Sequence, residues 1–92
     1  MSRTEHRRRI DAIDAQLVEL LAERAAVVAE IWKEKRRQGV PLADPAREAA
    51  MLGEIVELAR QHGLDPQAIT AVFRALVGID LHTGERAGQP TT

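Results

Sequence analysis

The sequence predicts an all-α fold: one long helix and two shorter ones, joined by short loops and forming an intertwined helical homodimer. Three observations predict it. Between Arg7 and Lys35 the apolar residues Ile10, Ile13, Leu17, Leu20, Val27 and Ile31 recur in steps of three and four or their sum, the spacing of a helical seam. The dipeptides Asp44-Pro45 and Asp65-Pro66 each pair an N-cap residue with a proline suited to the first helical position. No run of convincing length alternates with the period of a strand.

The first helix is expected to start with Thr4 as N-cap and to run without Gly or Pro until Gly39, a left-handed stop followed by Pro41. That is about 34 residues, or about 50 Å of helix. A compact chain of this size has a radius of gyration of only about 12 Å. The helix therefore overhangs any single-chain globule, and a second copy related by a two-fold axis is the simplest cover for its seam. Helix 2 follows Asp44-Pro45, with Met51, Leu52, Ile55, Val56 and Ala59 as its apolar face and His62-Gly63 as its end. Leu64 is the hydrophobic contact expected after that cap. Helix 3 follows Asp65-Pro66, with Ile69, Val72, Phe73, Leu76 and Val77 as its buried stripe and Leu81 as an extension. Trp32 reads as core or interface packing. The 92 residues form one domain, ordered over about 5–83, with 84–92 lacking periodicity and expected to be disordered.

Composition narrows the function. Lys plus Arg number 13 against 14 Asp plus Glu, so the basic excess of a general nucleic-acid or membrane-surface binder is missing. There is no cysteine, hence no disulfide framework or thiol chemistry. No stretch approaches the length of a membrane span, and the polar N-terminus does not read as a signal peptide, so a cytoplasmic protein is expected. His6, His62 and His82 lack metal-ligand spacing, and no Ser/His/Asp arrangement suggests nucleophilic catalysis; no cofactor or metal is expected.

The informative residues are cations lying on or beside the seam. Arg24 falls four after Leu20 and three before Val27, where the pattern asks for an apolar side chain. Lys35 falls four after Ile31, and Arg7 three before Ile10. An unpaired buried charge costs several kcal/mol, roughly, so an anion should meet these groups. Arg24 and Lys35 are eleven residues apart, close to three turns, and share a face about 16 Å long. Arg7 lies about 42 Å from Lys35 and could join them only in a partner chain's site. At the start of helix 2, Asp44 and Glu48 suit capping and the helix dipole, whereas Arg47 is unfavourable there and favours an external partner.

Taken together, Arg7-x-x-Ile10-Asp11-x-Ile13-Asp14, Leu20-Leu21-Ala22-Glu23-Arg24, Lys35 and Asp44-Pro45-x-Arg47-Glu48 resemble the all-helical chorismate mutases, over roughly residues 5–82. The resemblance implies an intertwined dimer of three-helix chains that converts chorismate to prephenate by a Claisen rearrangement. It implies that Arg7 crosses to the other subunit's site and that Arg24 grips a substrate carboxylate. By the same match, Lys35 bonds a carboxylate and the ether oxygen, and Arg47 adds to the cationic pocket. Asp44 and Glu48 would hold the ring hydroxyl, Asp44 through its backbone. A pericyclic reaction needs a compact conformer and positive charge near the ether oxygen, which fixed Arg and Lys supply.

The family pattern is broken at the end of helix 3. Many members carry Gln or Glu, directed at the ether oxygen, where this chain has Gly84, with Glu85 one residue on. A small residue such as Ser is common where this chain has Asp80. Gly84 offers no side-chain donor, and an ionised Asp80 facing the pocket would repel a dianion; Asp80 pointing to solvent near a frayed end is the alternative. A shifted register that brings in Glu85, a weaker pocket and a different substrate all stay open. Related readings are a mutase of 4-amino-4-deoxychorismate, an isochorismate-pyruvate lyase, and a non-catalytic helical dimer that serves as an interaction module or as a regulatory subunit partnering a larger shikimate-pathway enzyme; for the mutase itself, a larger partner enzyme that activates it stays open.

Overall fold

A computed structural model describes residues 1–87. It contains three helices and, among the described residues, no strand: α1 (Arg3–Gln38), α2 (Pro45–Gln61) and α3 (Pro66–Ala87). The start of α1 lies two residues earlier than expected. Ser2, not Thr4, is the N-cap, and its hydroxyl accepts the Glu5 backbone N–H at 3.1 Å. Gly39 ends the helix at φ 70°, in the left-handed region where a side chain is strained.

Both Asp-Pro starts form as expected. The Asp44 carboxylate accepts the Arg47 N–H at 3.1 Å, and that of Asp65 accepts the Gln67 N–H at 3.0 Å. Gly63, also at φ 70°, reverses the chain after α2, and the Leu64 N–H closes back on the Ala59 carbonyl at 2.8 Å. The tight turn packs α2 against α3. Met51, Leu52, Ile55 and Val56 are half-buried on α2, Ala59 is buried, and Ile69, Phe73, Leu76, Val77 and Leu81 face them half-buried from α3. Val72, expected in that stripe, remains 53% exposed. The last helix does not stop at Gly84 but continues to Ala87, into the stretch expected to lack structure; residues 88–92 of that expectation lie outside the described residues.

α1 stands apart from this hairpin over most of its length. It meets α3 only through its C-terminal part, where Trp32 is buried at 7% exposure. The seam residues expected to be core are not covered by the chain itself: Ile10, Ile13, Leu17, Leu20, Val27 and Ile31 are all exposed. The shape follows, with extents of 54 × 33 × 15 Å and a radius of gyration of 16.6 Å. That is well above the ~12 Å of a compact chain of this length.

Candidate active site

The cleft lies where α1, the α1–α2 loop, α2 and α3 converge. From α1 it takes Arg24, Val28, Ile31, Trp32 and Lys35; from the loop, Leu42 and Asp44. α2 adds Arg47, Glu48 and Met51, and α3 adds Val77, Asp80 and Leu81. The α1 contributors fall at steps of three and four, which keeps them on one side of the helix. Six of the eight residues singled out in the sequence are thus brought to one place: Arg24, Lys35, Asp44, Arg47, Glu48 and Asp80. Arg7 is not among them. It is exposed on the N-terminal part of α1, as the straight-helix distance requires. Gly84 is buried outside the lining, beneath the indole of Trp32.

Two of the cations already have oxygen partners. Arg24 Nη1 donates to Asp80 Oδ1 at 2.8 Å, with the two side chains 33% and 15% exposed. Asp80 therefore faces the cleft rather than solvent, because its place on α3 lies opposite Arg24. Lys35 Nζ donates to the Leu42 carbonyl at 2.9 Å and sits 5.1 Å from the centroid of the Trp32 ring. That contact is within cation–π range. The Trp32 Nε1–H donates to the Asp80 carbonyl at 2.8 Å. The Arg36 guanidinium donates to the Gly84 carbonyl. Arg24, Trp32 and Arg36 thus tie α1 to the last turns of α3 by polar links.

The lining holds three cations (Arg24, Lys35, Arg47) and three carboxylates (Asp44, Glu48, Asp80) among apolar side chains. The carboxylates are not equivalent. Asp44 is occupied in capping α2, Asp80 is engaged by Arg24, and Glu48 has the freer role near the positive end of the α2 dipole. Opposed charges around an apolar floor suit a small, rigid molecule carrying charged and polar groups at fixed separations. The apolar lining and Trp32 were not assigned to the site from the sequence. Their signal was the helical spacing of Val28, Ile31 and Trp32 between Arg24 and Lys35. Glu85 lies within α3, but its side chain is outside the described part of the structure.

The three helices converge on a cleft of mixed charge and apolar floor, and sequence comparison gives the family. Residues 6–80 match the family model for chorismate mutase type II, and the chain belongs to that family. It is 32% identical over 73 residues to a chorismate mutase of Methanocaldococcus jannaschii, covering 79% of this chain and 74% of that protein. It is 39% identical over 71 residues to a T-protein of Enterobacter agglomerans, covering 77% of this chain and 19% of that protein. A bifunctional chorismate mutase/prephenate dehydratase of Escherichia coli K12 is 35% identical over 71 residues, 77% of this chain and 18% of that protein. The chain thus spans about a fifth of the length of the two longer relatives.

Proposed function

We propose that this chain is a chorismate mutase, rearranging chorismate to prephenate in a cleft completed by a second copy. The observation that carries the reading is the convergence of Arg24, Lys35 and Arg47 on one apolar-floored cleft. The carbon–oxygen bond that breaks and the carbon–carbon bond that forms belong to one substrate, in one cyclic shift of electrons. No side chain need act as nucleophile or base. The protein's tasks are to hold the folded conformer and to stabilise charge on the departing ether oxygen. Arg24 grips a carboxylate through its planar fork, taking the place Asp80 now fills. Lys35, held over Trp32, reaches a carboxylate and the ether oxygen. Arg47 adds positive charge at the rim, Glu48 accepts the ring hydroxyl, and the backbone of Asp44 helps to hold it.

Charge balance supports a shared site. Three cations against three carboxylates leave no surplus for a dianion. Arg7 of a second copy would supply one. The exposed seam supports the same assembly. Full burial of a large aliphatic side chain is worth about 1.5–3 kcal/mol, so six half-exposed seam residues leave on the order of 5–10 kcal/mol unrealised in one chain. That is comparable with the whole stability of a domain. An intertwined homodimer realises it and carries Arg7 into the partner's cleft. An activating partner enzyme belongs to the same reading, since longer relatives join the domain to a second activity by name.

Purified protein mixed with chorismate, with prephenate followed directly, tests the activity; conversion no faster than the uncatalysed rate overturns it. Sharing has its own test. An Arg7→Ala chain mixed with an Arg24→Ala chain should regain one intact site per heterodimer. No recovery of turnover from two inactive parents counts against it.

A further inference from the structure

The end of α3 holds an arrangement that the roles above leave unused. A Cβ built on Gly84 would meet Trp32 Nε1 at 2.9 Å, Trp32 Cε2 at 3.0 Å and Leu42 Cδ1 at 3.1 Å. The indole is no flexible tip able to swing away. It is buried at 7% exposure, its N–H is bonded to the Asp80 carbonyl, and its ring lies under the Lys35 ammonium. A side chain at position 84 and an indole at position 32 therefore compete for the same space. The Arg36 guanidinium on the Gly84 carbonyl holds the two backbones at this close approach.

We propose that Trp32 is a positioning residue for Lys35 and Asp80, and that Gly84 is its required counterpart. The indole builds, from α1, the stretch of cleft wall that a side chain late in α3 would otherwise supply. Its face fixes the Lys35 ammonium from one side while the Leu42 carbonyl fixes it from another. Its N–H fixes the α3 backbone at Asp80, whose carboxylate meets Arg24. One aromatic residue thereby sets the spacing of the two α1 cations. The role given to Lys35 rests on the mutase reading; the competition between positions 32 and 84 does not.

The experiment uses the full chain carrying Trp32→Phe, Trp32→Leu, Gly84→Ala and the double variant Trp32→Leu/Gly84→Ala. Trp32→Phe keeps a ring beneath Lys35, whereas Trp32→Leu keeps burial without one. For turnover of chorismate, Trp32→Phe, which keeps the ring but loses the N–H to the Asp80 carbonyl, should lower kcat/KM less than Trp32→Leu, which loses both and should fall about tenfold or more, the scale of a desolvated cation–π contact. Equal losses overturn the positioning role. In melting temperature, Gly84→Ala should lower the parent substantially and cost much less in the Trp32→Leu background, because neighbours that compete for one space are not additive. An unchanged cost in both backgrounds overturns the competition. A parent without turnover would refute the mutase reading instead. The melting cycle would still decide the competition, and the emission of the chain's single tryptophan would decide the Lys35 contact. Lys35→Met should change that emission, and an unchanged spectrum overturns the contact.

Discussion

The two ends of α1 are the same helix put to different uses. From Arg3 to Glu23 every residue is exposed within the chain, and Ile10, Ile13, Leu17 and Leu20 share a stripe that the chain itself leaves uncovered. From Arg24 to Gln38 the helix carries the buried tryptophan, three polar ties to α3 or its carbonyls, and two cations lining the cleft. Sequence periodicity does not distinguish the halves, because the seam runs through both. The difference lies in what is packed against them. Apolar spacing specifies that a face will be covered; it does not say which chain covers it.

The contrast can be broken from either end. The largest effect is expected at Arg24. Arg24→Ala should lower kcat by roughly 10²–10³-fold, the scale for losing one preorganised donor. The oligomer should be unchanged by sedimentation, since the residue belongs to the site half. The converse substitution is Leu17→Glu, on the exposed half. It should shift the sedimentation mass toward that of a monomer and make turnover per chain depend on protein concentration, without touching the cleft directly. An unchanged mass would refute the seam as the association surface. Asp80→Asn tests the internal ion pair. Removing the carboxylate from Arg24 should lower KM for a dicarboxylate by several-fold, up to about tenfold, the usual scale of one charge-assisted contact. A raised KM would show instead that Asp80 orients Arg24 productively. The smallest effect belongs to the cap. Ser2→Ala should cost about 1 kcal/mol or less, seen as faster amide exchange in the first turn of α1 with turnover unaffected.

What was legible in the sequence was local or periodic. Asp44-Pro45 and Asp65-Pro66 mark helix starts because capping is settled within a few residues. Gly39 and Gly63 mark stops because only glycine adopts that backbone without strain. Even the misplaced start had a readable signal. Ser2-Arg3-Thr4-Glu5 has the spacing of a capping box, and the Ser2 hydroxyl takes the Glu5 N–H. At the site, the placement of Arg24, Lys35 and Arg47 in one cleft followed from helical spacing together with the family pattern. What stayed hidden depended on packing between distant segments. Gly84 reads as the start of a loose tail beside other small and polar residues. Its meaning comes from an indole more than fifty positions earlier. Asp80 likewise reads as a residue near a fraying end until Arg24 is set opposite it.

The close approach at Gly84 also sets an order for change. A chain carrying Trp32 acquires a side chain at position 84 only by displacing the indole, since the Cβ alone would lie 2.9 Å from the indole nitrogen. It can first exchange Trp32 for something smaller, accept a cavity, and fill that cavity from α3 afterwards. The less strained path between the two walls of this pocket therefore runs through a smaller residue at position 32. Libraries that vary position 84 alone in this background should be enriched in glycine, and less so when position 32 is varied with it.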